Sequence, residues 1–184
     1  MDENELKTSR LLYTVGHSTR SLEDFLHILK IYGIVSLVDI RTVPRSRKNP
    51  QFNKETLPQE LGKVGIHYFH MQGLGGLRHP VEDSLNTAWR NASFQGFADY
   101  MQTSEFIRNV EELIDIAGHS KATLMCAESV PWRCHRSLIA DALTVRGICV
   151  EHILSLTNHY THKLTPWASV KGFIITYPQR ASTE

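Results

Sequence analysis

Short apolar runs alternate along this chain with segments whose apolar residues recur at helical spacing. Strands are predicted at 11–15, 34–40, 65–71, 122–126 and 149–154. Helices are predicted between Ser21 and Gly33, over 54–64, 94–101 and 105–117, and between Ser129 and Gly147. We therefore expect an α/β fold, with a mainly parallel sheet of about five strands and helices on both faces in a Rossmann-like three-layer arrangement.

The turns that follow parallel strands leave the sheet at its carboxyl edge. In this chain the turns after the first four predicted strands carry most of the reactive side chains. They are the turn at 17–18, the basic segment 41–47, the glycine loop 73–76 and the cysteine segment 126–136. We expect these four segments to converge at the edge where α/β proteins bind ligands, and anions in particular.

The composition limits the classes of protein to which the chain can belong. Its 184 residues suit one α/β domain, with residues 1–10 disordered. Residues 156–184 are predicted to form a C-terminal extension, in which 173–177 is either an edge strand or an extended arm. A net charge of +1 excludes a general attraction to nucleic acid, so any anion site must be local. Three cysteines without a signal peptide predict a reduced cytoplasmic protein, and no apolar run is long enough to cross a membrane. The oligomeric state stays open.

The cysteine segment combines two thiols, a carboxylate, an imidazole and two guanidinium groups. Ser129 is predicted to cap the following helix, which would place Cys134 in or near the first turn. The helix dipole, together with Arg133 and Arg136, would then attract an anion and lower the pKa of Cys134.

Four side chains are candidates for catalysis. Cys126 and Cys134 are candidate nucleophiles, although Cys126 can equally be a buried core residue. On a helix the side chains of Cys134 and His135 would diverge, which makes His17 from the first turn the better base. Glu128 can act as a general acid or base, or can neutralise a neighbouring arginine.

The other turns supply candidate binding residues. Ser18 can cap the first helix or hold an anion. Asp39 and Arg41 flank the end of a strand, either as a buried ion pair or as a ligand-binding arginine with its orienting carboxylate. The remaining candidates are basic side chains, two glycines and one histidine: Arg45, Arg47, Gly75, Gly76, Arg133, His135 and Arg136.

Several short motifs occur in a characteristic order. They are Thr-Val-Gly-His-Ser at 14–18, Asp-Ile-Arg at 39–41, Pro-Arg-Ser-Arg at 44–47 with Phe52, Leu-Gly-Gly at 74–76, Cys-Ala-Glu at 126–128 and Cys-His-Arg at 134–136. In this order they resemble the signature of the DUF488 family, a family of domains of unknown function, over roughly residues 11–155. The resemblance implies an α/β fold and a shared pocket, but it implies no reaction.

Three functions are compatible with the sequence. The first is an intracellular enzyme whose arginine, cysteine and histidine side chains bind a phosphate-bearing small molecule, a nucleotide or a nucleic-acid end. The second is a non-catalytic nucleic-acid-binding module, with contacts from the basic residues of 45–48 and from Trp132. The third is a metal-binding or redox protein that uses Cys126, Cys134 and His135. The sequence specifies no cofactor, and the first function does not require a metal.

Overall fold

The fold is built on a six-stranded sheet, which a computed structural model describes over residues 11–179. Its strands are β1 (Leu11–Gly16), β2 (Ser36–Asp39), β3 (His67–His70), β4 (Ala122–Cys126), β5 (Cys149–Ile153) and β6 (His159–Thr161). They lie in the order β3-β2-β4-β1-β5-β6. The first five strands are parallel, and β6 pairs antiparallel with β5. The predicted, mainly parallel sheet is confirmed. The prediction of disorder at 1–10 lies outside the described residues.

Five α-helices accompany the sheet within the described range. They are α1 (Leu22–Ile31), α2 (Leu57–Lys63), α3 (Ala92–Tyr100), α4 (Ser104–His119) and α5 (Arg136–Thr144). The start of α1 is as predicted, because the Ser21 hydroxyl accepts a hydrogen bond from the Asp24 amide at 3.0 Å.

The start of α5 differs from the prediction, and Ser129 does not cap it. A 3-10 turn, Pro131–Arg133, occupies the segment where the first helical turn was expected, and Cys134 after it is extended. The carbonyl oxygens of Glu128 and Ser129 accept hydrogen bonds from the Arg136 guanidinium at 2.6 and 2.8 Å. Because these carbonyls are held by a side chain, they do not begin a helical ladder, and α5 starts only at Arg136.

Apolar side chains pack against both faces of the sheet. On one face α1 and α2 bury residues such as Phe25 and Leu61. On the other face α3, α4 and α5 bury residues such as Phe97, Val110 and Leu138. The sheet is therefore the middle layer of three, as predicted, and its central strands are apolar because both of their faces are covered.

The chain after β6 forms a hairpin apart from the main sheet. Its strands are β7 (Ser169–Lys171) and β8 (Ile174–Thr176), which pair antiparallel. Residues 173–177 are therefore not an edge strand of the main sheet. Instead, Ile175 and Tyr177 pack into the core beside α5, as an extended arm would.

A buried hydrogen-bonded chain ties this C-terminal segment to the sheet. Asp141 of α5 accepts hydrogen bonds from the Tyr177 hydroxyl and from His162 Nε2, both at 2.8 Å. Nδ1 of His162 lies 2.9 Å from His152 Nε2, and Nδ1 of His152 lies 2.7 Å from the Thr14 hydroxyl. Each imidazole in this chain can donate once and accept once, so both are fully paired in their neutral forms.

The pairing of His152 predicts that acid destabilises the protein. Burial, with the charges of His162 and Arg136, lowers the pKa of His152 from 6.5 to about 3. Between these two values the unfolded chain binds a proton that the folded chain does not, so the free energy of unfolding falls as pH falls below 6.5. The expected slope is roughly 1.4 kcal/mol per pH unit for each such histidine.

Urea denaturation from pH 7 down to pH 5 measures this slope. His152→Asn is expected to reduce it, whereas His27→Asn, at an exposed position on α1, is expected to leave it unchanged. An equal slope in wild type and His152→Asn would contradict the assignment.

The two central strands, β1 and β4, define a crevice at the carboxyl edge of the sheet. The chain leaves β1 for α1 on one face and leaves β4 for α5 on the other. Such divergence opens a ligand-binding crevice in α/β folds. Backbone pairing continues beyond the strands, since the amides of His17 and Ser18 donate to the carbonyls of Cys126 and Ala127 at 3.0 and 2.9 Å. The turns after β1 to β4 all emerge at this edge, as predicted.

Candidate functional site

Three adjoining cavities form a cleft at the carboxyl edge of the sheet. The first, of about 250 Å³, is lined by His17, Ser18, Arg41 and Arg45 among others, and we call it the polar cavity. The last, of about 450 Å³, contains both thiols of the cysteine segment, and we call it the thiol cavity. A middle cavity of about 320 Å³ shares lining residues with each, and Ala127 lines all three. The converging turns therefore build one continuous cleft.

The two thiols lie together at the base of the thiol cavity. Cys126 ends β4 and is 9% exposed, and Cys134 is 4% exposed. A hydrogen bond from the Cys134 thiol outweighs burial and lowers the pKa of Cys126 to about 7, with help from backbone hydrogen bonds and the charge of Arg136. The same hydrogen bond, with burial, raises the pKa of Cys134. The predicted lowering at Cys134 is therefore wrong, and Cys126 is the acidic thiol.

His135 faces the thiols, contrary to the predicted divergence from Cys134. The two residues precede α5 and do not lie on it, so the geometry of helical neighbours does not apply. Nε2 of His135 donates to the carbonyl oxygen of Leu74 at 3.0 Å, which leaves Nδ1 as an acceptor 3.8 Å from Cys134 Sγ. Burial lowers the pKa of His135 to about 4. Gly76 allows this position, because a Cβ there would collide with the imidazole ring.

Arg136 does not reach into the cleft. It is 1% exposed, and its Nη atoms donate to the carbonyl oxygens of Val15, Glu128 and Ser129. Among residues 11–179, no carboxylate forms an ion pair with it. Arg136 is thus not the direct anion ligand expected from sequence, but its unneutralised charge acts on the neighbouring Cys126 and favours the thiolate.

Asp39 and Arg41 form a buried ion pair with a fixed orientation. The Asp39 carboxylate accepts from Nε and Nη2 of Arg41 at 2.8 and 2.6 Å, and from the Tyr68 hydroxyl at 2.8 Å. Nη2 also donates to the Phe52 carbonyl at 2.7 Å, and Nη1 donates to His17 Nε2 at 3.2 Å. One N–H of Nη1 has no partner among the described residues, and Arg41 lines the polar cavity. Both predicted roles of the pair are therefore compatible with its geometry.

His17 is placed to orient Arg41 and not to deprotonate a thiol. Its Nδ1 donates to the Ser18 carbonyl at 2.8 Å, its Nε2 accepts from Arg41, and its ring stacks on Phe52. Burial lowers the pKa of His17 to about 4. Ser18 beside it has a φ of 51°, a left-handed conformation that costs energy in a residue other than glycine. This strained turn presents Ser18 to the polar cavity.

The remaining candidates fall into three groups. Glu128 lines both the polar and the thiol cavity, Arg133 lines the thiol cavity, and Arg45 lines the polar cavity. Gly75 packs closely against Thr42 and contributes space and no side chain. Arg47 and Trp132 are exposed elsewhere, and Trp132 lines a different cavity. Arg45 and Trp132 thus line different cavities, and the nucleic-acid hypothesis stays a prediction.

One wall of the thiol cavity consists of residues that are not among the sequence-predicted candidates. Asn91, Ser93 and Phe94 line it from the start of α3. Asn91 and Ser93 precede the predicted helix 94–101, whereas in the structure Asn91 is the N-cap of α3 and its side chain accepts a hydrogen bond from the Ser93 amide at 2.9 Å. An asparagine three residues before the start of the predicted helix, at Phe94, is the sequence signal for this wall. No sequence pattern identifies Tyr68, whose hydroxyl donates a hydrogen bond to Asp39.

One cluster in the cleft has the donor set of a metal site. The ligand atoms of Cys126, Cys134 and His135 all lie within 4.8 Å of one another. Two thiols and an imidazole suit zinc or iron. All three are sequence-predicted site residues, and the structure brings them together.

Comparison with known proteins identifies the family and nothing further. Searches of curated proteins and of solved structures gave no significant match. Within residues 11–179, no helix has both the length and the apolar character that a bilayer crossing requires. A family model, described as the domain of unknown function DUF488, matches residues 21–143. Since that match covers more than half of the chain, the protein belongs to the DUF488 family.

Proposed function

We propose that the protein is an enzyme that binds a phosphate-bearing substrate in this cleft and uses Cys126 as its nucleophile. The observation that supports it best is the continuity of the cleft, which joins a polar cavity with arginine side chains to the acidic thiol. The polar cavity would hold the anionic group, and the thiol cavity would hold the reacting atom. The substrate is a small molecule, a nucleotide or a nucleic-acid end.

Anion binding would rest on three side chains of the polar cavity. The contacts of Arg41 with Asp39, Phe52 and His17 leave one N–H of Nη1 without a partner among the described residues. That N–H can donate a hydrogen bond to an anion. Arg45 adds an exposed guanidinium, and Ser18 a hydroxyl. A guanidinium held by a buried carboxylate keeps its orientation, so phosphate binding would cost little reordering of Arg41.

Chemistry would begin at Cys126. The thiolate sulfur attacks the electrophilic atom of the substrate, and the bond from that atom to the leaving group breaks as the bond to sulfur forms. Glu128, which lines both cavities, would protonate the leaving group, and water would later hydrolyse the intermediate and restore the thiolate. Arg136 stabilises the thiolate through its charge, and His17 positions Arg41.

Protection of Cys126 by inorganic phosphate tests this proposal. Phosphate is expected to slow alkylation of Cys126 by iodoacetamide, measured by peptide mass spectrometry, at millimolar concentrations. Arg45→Ala is expected to weaken the protection, and Arg90→Ala, at an exposed site outside the cleft, is expected to leave it unchanged. Equal alkylation with and without phosphate would contradict the proposed anion site.

A metal centre is the second candidate function, and the contacts of His135 favour it. A histidine that binds a metal through one nitrogen commonly donates from the other to a carbonyl, as His135 does to Leu74. Cys126, Cys134 and His135 would supply three ligands, with a fourth position open to the thiol cavity. Metal analysis of protein purified without chelator distinguishes the metal centre from the enzyme that uses Cys126 as its nucleophile. A stoichiometric metal that is lost in Cys134→Ser and kept in Cys149→Ser would favour the metal centre.

A further inference from the structure

All three tryptophans of the chain line one cavity outside the cleft. This aromatic cavity has a volume of about 640 Å³ and lies between the turn Pro131–Arg133, the start of α5 and the segment 160–167. The turn separates it from the thiol cavity, since Trp132 lines the aromatic cavity and Arg133 lines the thiol cavity. The volume lies in the range of small-molecule sites.

The walls of the aromatic cavity leave large aromatic rings in contact with solvent. Trp132 is 60% exposed, Trp167 is 39% exposed and Tyr160 is 37% exposed. Trp89, deeper in the cavity, is held by ring contacts with Trp167, Phe94 and Tyr177. Exposed aromatic rings that surround a concave surface are suited to stacking on a planar ligand.

The floor of the cavity includes two imidazole rings that lie nearly perpendicular to each other. They belong to His152 and His162, whose nitrogens are all used in the chain from Thr14 to Asp141. His152 therefore stays neutral at physiological pH and holds a fixed ring orientation. Such a floor offers ring surface to a ligand without competing for its hydrogen bonds.

The cavity carries a single formal charge. Among its lining residues, all of which the structure describes, Lys163 is the one with a charged side chain, and it is exposed. A ligand that complements this cavity has a planar ring and one anionic group. A nucleotide monophosphate combines the two, since its base can stack and its phosphate can pair with an ammonium group.

We propose that the aromatic cavity is a nucleotide-binding site, in which the base stacks on the exposed indole rings and the phosphate pairs with Lys163. This site is separate from the thiol cleft and does not rest on the function proposed for that cleft. Its position on the far side of the turn Pro131–Arg133 would let a bound nucleotide contact the same turn that carries Arg133.

Tryptophan fluorescence tests the proposal directly, because every tryptophan reports on this cavity. AMP is expected to change the fluorescence saturably, adenosine to bind more weakly, and ribose 5-phosphate to give no saturable change. Trp167→Ala is expected to weaken AMP binding at least about fivefold. Lys163→Ala is expected to weaken AMP binding about two- to fivefold and to leave adenosine binding unchanged. Isothermal calorimetry confirms the affinities of variants that lack an indole.

Three results would overturn the site. They are the absence of saturable binding of AMP, wild-type AMP affinity in both Trp132→Ala and Trp167→Ala, and ribose 5-phosphate binding as tight as that of AMP. Arg45→Ala separates this proposal from the previous one, because Arg45 lines the polar cavity and not the aromatic cavity. This variant is expected to bind AMP as wild type does, and loss of AMP binding in it would place the nucleotide in the cleft instead.

Discussion

Iodoacetamide is expected to alkylate Cys126 with a rate that rises through a midpoint near pH 7. The thiolate is the reactive form, and the hydrogen bond from Cys134 together with the charge of Arg136 lowers the pKa of Cys126 to about 7. At equal access to the reagent, this thiol should react roughly threefold faster at neutral pH than an ordinary thiol, because its larger ionised fraction outweighs the lower nucleophilicity of a less basic thiolate. Peptide mass spectrometry over a pH series gives the profile of each cysteine separately.

Two variants sharpen this measurement. Cys134→Ala removes the donor and should move the midpoint of Cys126 upward, towards the ordinary value for a thiol. Cys149→Ala, in β5, is the matched control and should leave the profile unchanged. A wild-type midpoint above pH 8 would show that the hydrogen-bonded pair does not acidify Cys126, and the nucleophile would then have to be another group.

Arg136→Met is expected to destabilise the protein by about 3 kcal/mol or more. The guanidinium donates to the carbonyls of Val15, Glu128 and Ser129, and all of these contacts lie at the junction of β1, the cysteine segment and α5. Methionine fills a similar volume but removes the donor from the buried contact with the Val15 carbonyl and from the two partly buried contacts with the Glu128 and Ser129 carbonyls. Urea denaturation measures the loss, and the same variant should raise the pKa of Cys126.

Arg146→Met provides the comparison. Arg146 lies just after α5, donates to the Ala142 carbonyl at 2.8 Å and stacks on Phe173 at 5.0 Å. Its replacement should cost less than about 1 kcal/mol, because water can reach the groups that it leaves. If the two variants lost equal stability, Arg136 would be no more than an ordinary partly buried arginine.

The parallel sheet could be predicted because its strands are local patterns. The apolar run Ala122–Cys126 is buried throughout and the run 11–15 is buried or half-buried, and each is followed by a turn that breaks the pattern. Once the strands are taken as parallel, convergence of their turns follows from topology alone. The candidate residues of the cleft could therefore be named without knowing a single side-chain contact.

The details of the cleft could not be predicted, because they depend on contacts between residues distant in sequence. Arg136 binds the carbonyl of Val15, 121 residues away, and this contact holds the guanidinium that also binds the Glu128 and Ser129 carbonyls. His135 is oriented by Leu74, 61 residues away. No local pattern distinguishes an arginine that faces solvent from one whose guanidinium binds the carbonyls of a loop. The sequence therefore predicts a lowered pKa for Cys134, whereas in the structure the lowered pKa is that of Cys126.

The backbone pairing between the first turn and the cysteine segment makes the two halves of the cleft a single mechanical unit. The amides of His17 and Ser18 extend the β1–β4 ladder into the loops, and Gly16 lets Glu128 approach more closely than any side chain would permit. Movement of the first turn must therefore move the cysteine segment with it, or break the backbone hydrogen bonds that join the two at the end of the β1–β4 ladder. The centre of the cleft is thus held by the same ladder as the centre of the sheet, and a ligand that needs more room must obtain it from the outer walls, at the start of α3 or in the basic loop.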